Sequence, residues 1–251
     1  MTAKIPKWAT DPFDYFLECV GDLEKLAHLS SHGVTGLPHS ARRVQELSEE
    51  LRKLGGTPDP PQFDPALLEF AEKEIAEGYP RLFGQATVAL WGLLECLVHD
   101  FTCSLLAYYP PAWQATDLLK VEVSVCEYQA MSPEERIEYV VDWLERKKKA
   151  DGVARFENVL NVFGLSGAIE DDIKKALFEL QHVRNVLAHR AGRVDGRLIS
   201  ACPWLAAKSK ERVRINKERF MLYLDACYAY ASALLGRVKR RFPIQASANS
   251  E

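Results

Sequence analysis

Gln181-His182-Val183-Arg184-Asn185-Val186-Leu187-Ala188-His189-Arg190 closes a helical pattern that begins near Ala168. Ile173, Leu177, Leu180 and Leu187 keep the spacing of one apolar helical face. Arg184 falls on that stripe, seven residues after Leu177 and three before Leu187. A guanidinium in an apolar seam is costly unless an anionic group meets it. Asn185 and His189 are four apart, neighbours on the surface beside the seam, and His182 lies one turn further back. A permanently charged fork, an amide and a titratable imidazole thus fall within two turns. Such a set can hold a phosphodiester and move protons around it. The same residues also have a plainer use. The Arg can pair with a core acid, and the His can cap the helix C terminus, where positive charge suits the dipole.

The flanking segments extend the helical reading in both directions. Upstream, Asp64 to Tyr79 is periodic and breaks at Gly78 and Pro80, and Gln85 to Tyr108 is apolar on most sides. The latter is expected to be the central buried helix, with Glu95 and His99 as polar intrusions four residues apart. Glu95 needs a partner, with Arg184 the obvious one or else His189, and either pairing predicts that these two helices pack together. Ser132-Pro133-Glu134-Glu135 starts a helix that runs to Lys149, with Ser as cap, Pro at the first position and a capping-box Glu. Val153 to Phe163 is a short helix, and Ser166 is positioned to cap the next one. Val121, Val123 and Val125 alternate like a strand within an ambiguous stretch. Downstream, Arg197-Leu-Ile-Ser-Ala-Cys and Arg212-Val-Arg-Ile can pair as a short β-hairpin around Pro203-Trp204, before a final helix from about Asn216 to Arg241. The expected fold is an all-α helical bundle with that hairpin inserted between its last two helices.

Residues 1–60 read as a separate helical hairpin. Asp11 to about Ser31 carries Phe13, Phe16, Leu17, Val20, Leu23, Leu26 and Ala27 as a buried face. Gly33 to Pro38 is a turn, Ser40 to Leu54 a second helix, and Gly55-Gly-Thr-Pro-Asp-Pro-Pro a linker. The bundle occupies 61–242, and 243–251 reads as a flexible tail. His28 and His32 are four apart, but no third metal ligand follows at a recognisable spacing.

The stretch Arg184-Asn185-Val186-Leu187-Ala188-His189 resembles the Arg-Asn-x-x-x-His signature of HEPN domains. Its sequel, Arg190, Gly192, Val194 and Asp195, and the closing helix are similar to members with an Arg-Asn-x-x-x-His-Arg-x-Gly ending. The resemblance covers about residues 70–242. It implies an all-α bundle that dimerises, so that two motifs face one cleft that is often a metal-independent endoribonuclease site. It therefore implies RNA as the substrate, no cofactor and no metal, and a homodimer. Arg184, Asn185 and His189 are then the catalytic candidates, with Glu95, His182 and Arg190 in support. Arg193, Arg197, Trp204, Lys208 and Lys210 form a turn-rich basic surface suited to phosphate contact and base stacking. Phage defence or a toxin role, with an antitoxin or defence partner protein, is a further implication. Relatives paired with nucleotidyltransferase antitoxins often carry Tyr two residues past the His, where this chain has Ala191. A non-catalytic nucleotide-, RNA- or protein-binding HEPN module is the alternative, and a plain helical scaffold is the third reading.

Composition is compatible with these expectations. The chain has 251 residues, 47% hydrophobic, enough for a sizeable core. The net charge of −3 is unevenly spread. Residues 1–173 hold 16 Lys+Arg against 29 Asp+Glu, whereas residues 174–241 hold 16 against 5. The Arg184–His189 stretch lies in the basic part, which suits an anionic ligand. Arg146-Lys147-Lys148-Lys149 either closes its helix or adds a second basic patch. The first residues lack the apolar core of a signal peptide, and no uninterrupted apolar run reaches membrane length, so neither secretion nor membrane insertion is expected. Cys19, Cys96, Cys103, Cys126, Cys202 and Cys227 form no Cys-x-x-Cys pair and read as buried reduced thiols of a cytoplasmic protein.

Overall fold

A computed structural model describes residues 5–242, which form nine α-helices, joined in places by short 3-10 turns. In chain order they are α1 (Lys7–Lys53), α2 (Pro65–Glu77), α3 (Pro80–Tyr108), α4 (Val125–Ala130), α5 (Pro133–Lys147), α6 (Val153–Asn161), α7 (Asp171–Arg190), α8 (Gly196–Ala201) and α9 (Lys217–Arg241). No strand is present among these residues, and the fold is all-α. The tail expected at 243–251 lies outside the described residues.

Helix α3 is the axis of the bundle. Leu90, Trp91, Leu94, Leu97, Val98, Phe101, Leu105 and Leu106 are buried along it. Helices α1, α5, α6, α7 and α9 all pack against it. The helix starts at Pro80, five residues before the expected point. The expected break at Gly78 and Pro80 is present, and Pro80 is the first residue of α3, a position where its missing N–H costs nothing. The buried Glu74 of α2 accepts a hydrogen bond from the Arg81 backbone and another from its guanidinium, which satisfies that helix start. Helix α3 has the length and composition of a membrane span, the only such helix among the described residues. In this fold its apolar sides meet other helices.

The N-terminal segment corrects the sequence reading. Lys7–Lys53 is one continuous helix that runs through Gly33, Gly36 and Pro38, so the helical hairpin expected over 1–60 is absent among the described residues. Its packing also removes the expected boundary: Ala9, Phe13, Phe16, Val20 and Ala27 belong to the same core as α3. Leu17 and Leu26, expected inside, are exposed. Pro38 removes one helical hydrogen bond, a local cost of about 3 kcal/mol. Contacts with α2 and α3 oppose that cost, including one between the Thr35 and Tyr79 hydroxyls.

Four smaller readings are also corrected. The segment expected as the first hairpin strand is the helical turn α8, started by the Asp195 carboxylate accepting from the Leu198 N–H. A single antiparallel bridge, Arg193 to Arg212, stands where the hairpin was expected. Val125 opens α4, capped by Ser124 in a reciprocal box with Glu127, instead of ending a strand. Ser166 does not cap α7; its hydroxyl donates to Asn161, and α7 starts at Asp171. Of the six cysteines only Cys202 and Cys227 are buried, and Cys96 and Cys126 are exposed.

Candidate functional site

Helix α7 lies against α3, as the pairing of Glu95 with Arg184 requires. Arg184 Nη2 lies 3.5 Å from Glu95 Oε2. The other Glu95 oxygen, Oε1, is 2.7 Å from Arg155 Nη1 on α6. Arg155 continues to Glu145 on α5, at 3.9 Å, and Glu145 Oε1 lies 3.2 Å from His99 Nδ1. One polar chain, Arg184–Glu95–Arg155–Glu145–His99, therefore ties four helices together. Hydrogen bonds with the Cys103 thiol and the Glu145 carboxylate hold the His99 imidazole well above its ordinary range, at about 11.

Within α7, Arg184 Nη1 donates to Asn185 Oδ1 at 3.1 Å. Asn185 thus fixes the guanidinium plane. Arg184 Nε is buried and has no hydrogen-bond partner among the described residues. An arginine has five N–H donors, so this side chain retains capacity for an anion.

His189 does not share the face of Arg184. Five helical residues advance about 7.5 Å along the axis and turn about 140° around it. Arg184 is accordingly half-buried against α3 while His189 is exposed in the last turn. His182 is drawn the other way. Its ring packs on Phe178, with centroids 4.5 Å apart, and its Nε2 is buried without a partner among the described residues. The fold thus sets Arg184 against Glu95 with Asn185 beside it, while His189, a neighbour of Asn185 on the helix surface, faces away from Arg184, and the His182 ring lies on Phe178. Arg190 is exposed, with its Nε 4.0 Å from Asp195.

The chain leaves α7 through Ala191 and Gly192, both left-handed, with φ of 49° and 77°. This reversal carries Arg193 and Arg197 to the surface, and Lys208 and Lys210 are exposed beyond it. A cleft of about 410 Å³ reaches the end of α7 through Leu187, Ala191 and Gly192, and Lys73, Arg81, Arg212 and Arg214 line it with Glu77. Trp204 is less free than an RNA-stacking residue needs. Its indole N–H donates to Glu179, and the Lys175 ammonium lies 4.9 Å from the ring centre.

Glu179 is the residue that sequence reasoning passed over. It is only 2% exposed, yet it accepts from Trp204, from Arg219 Nη1 at 2.8 Å and from the Tyr223 hydroxyl at 2.6 Å. It joins α7 to α9 behind the Arg184–His189 stretch. The signal was an acid inside the apolar run Leu177-Phe178-Glu179-Leu180. Arg155 and Glu145 carried no such signal, because each sits on a helix whose charged residues face solvent in the usual way. Compared with known protein families, with characterised proteins and with solved structures, the chain matches none.

Proposed function

We propose that this chain is a HEPN-type endoribonuclease that cuts RNA by attack of its own 2′-OH at a site shared between two copies. The observation that carries the reading is the state of Arg184. It is held by Glu95 and Asn185, half-buried, one turn and a half from an exposed His189 in the basic part of the chain. A guanidinium so fixed suits the charge that builds on the phosphorane oxygens. An exposed imidazole suits proton transfer. One His189 accepts the 2′-OH proton, and the second, across a two-fold axis, protonates the leaving 5′-oxygen. The products are a 2′,3′-cyclic phosphate and a 5′-OH. Asn185 orients and does not react. The phage-defence or toxin setting extends the same proposal.

The alternative, a non-catalytic RNA- or nucleotide-binding module, is favoured by one specific feature. The Glu95 carboxylate already answers Arg184, which lowers its pull on phosphate. Incubation with total RNA in EDTA separates the two. His189→Ala is expected to lower cleavage by at least about 10²-fold with RNA affinity nearly unchanged. Arg184→Ala is expected to weaken both, and replacing the 2′-OH at the cut by hydrogen is expected to abolish cleavage. RNA binding that depends on Arg184, with no cleavage by a chain that light scattering shows to be dimeric, would leave the binding module.

A further inference from the structure

The polar chain that begins at Arg184 ends at a group of different chemistry. Asp142 and Glu145 are three residues apart on α5, so both carboxylates point the same way. His99 faces them from α3. One donor atom from each of the three lies within 4.8 Å of the others. We propose that His99, Asp142 and Glu145 bind a divalent first-row transition-metal ion, zinc or manganese, where α3 meets α5.

The spacing is close to what an ion requires. Neighbouring ligands about 2.1 Å from a common ion sit roughly 3.0–3.4 Å apart. His99 Nδ1 and Glu145 Oε1 are 3.2 Å apart. Asp142 is exposed, so its side chain can swing the remaining distance without disturbing the core. The ion takes the place of the direct contact between His99 Nδ1 and Glu145 Oε1.

The donor set selects the class of ion. One imidazole with two carboxylates suits zinc or manganese, whereas calcium and magnesium prefer all-oxygen shells. Three protein ligands leave positions open to water. Access is present, because Asp142, Glu145 and Arg155 line a cleft of about 600 Å³. Support is present too. Glu145 Oε2 faces Arg155 at 3.9 Å, within ion-pair range of a group that can draw closer as an outer-shell partner. Arg146 and Lys149 line the same cleft and oppose a cation, so the nitrogen donor matters more than bulk charge.

The test needs no RNA and is independent of the proposed cleavage. The full chain, stripped with EDTA and dialysed, is titrated calorimetrically with zinc chloride, manganese chloride and magnesium chloride. One zinc or manganese ion per chain is expected, with no saturable magnesium binding. Asp142→Asn and Glu145→Gln are expected to weaken the tighter ion by at least about tenfold while circular dichroism stays that of the parent. Asp142 is exposed, so its variant reads binding rather than folding. His28 and His32, exposed on α1 with rings 4.4 Å apart, are the competing surface chelate. His28→Ala is therefore expected to leave binding unchanged. Absence of saturable zinc and manganese binding, equal affinity in Asp142→Asn, or loss of binding in His28→Ala would each overturn the assignment.

Discussion

At the scale of single residues, the buried Glu179 and the part-buried Glu157 set the terms. Glu179 and Glu157 each meet both a tyrosine hydroxyl and an arginine across to α9: Tyr223 and Arg219 for the first, Tyr230 and Arg237 for the second. Burial of a carboxylate is tolerated because every lone pair that faces the core has a donor. Removing the acid leaves those donors stranded. Glu179→Ala is expected to cost about 3 kcal/mol, from an unpaired buried hydroxyl and a lost charged hydrogen-bond set. Urea unfolding followed by circular dichroism reads this directly, and a loss under about 1 kcal/mol would mean that water replaces the carboxylate. Glu95 stands in a different position. It is a quarter exposed and shared by two arginines, so it tunes Arg184 more than it holds the fold.

At the scale of elements, two connections decide how α7 is placed. Gly152 precedes α6 with φ of 60°, and a Cβ there would lie 3.0 Å from the Phe178 Cα of α7. Its N–H donates to the Gln181 side chain. Both the backbone conformation and the close approach demand glycine. Gly152→Ala is expected to destabilise by about 1–3 kcal/mol, and thermal unfolding is the measurement. The opposite case is Ala191, a left-handed residue with a Cβ at the end of α7. Glycine is the usual occupant of that position. Ala191→Gly is expected to raise stability by about 0.5–1 kcal/mol, because it removes strain from the reversal. A lower melting temperature in that variant would show that the alanine methyl is needed where α7 ends.

At the scale of the whole molecule, the bundle conceals several weak acids. Burial pushes Tyr223, Tyr230 and the Cys227 thiol up, with Glu179 adding to Tyr223 and Glu157 to Tyr230. Burial, and Glu179 after it, pushes Cys202 up to about 12. Each folded value is above its unfolded one. The stability these groups contribute is therefore fully present below the unfolded values, about 9 for thiols and 10 for phenols, and is lost as pH rises beyond them. Each group removes about 1.4 kcal/mol per pH unit in that window. Urea midpoints measured from pH 7 to 11 are expected to stay level with respect to these groups up to about pH 9 and then fall steeply. A midpoint unchanged between pH 8 and 10.5 would show that they ionise within the folded state.

Periodicity alone determined the all-α class, the central role of α3 and most helix limits, because burial of one face repeats every 3.6 residues wherever the chain folds. The tie between Glu95 and Arg184 was legible for a related reason. An acid and a base, each placed in an apolar seam, have few partners other than one another. Local signals misled where tertiary contacts outweigh them. The glycines and proline of 33–38 read as a turn, yet packing on α2 and α3 keeps α1 continuous. The segment 197–202 carries strand-like residues, yet the Asp195 cap turns it into a helix. The site divided along the same line. The sequence already set Arg184 in the apolar seam and Asn185 and His189 on the surface beside it, but only the fold shows that Arg155 shares Glu95 with Arg184 and that the His182 ring turns onto Phe178. Arg155, Glu145 and Asp142 could not be read at all. They reach Glu95 and His99 across three helices, and no spacing along one chain encodes a contact made through space.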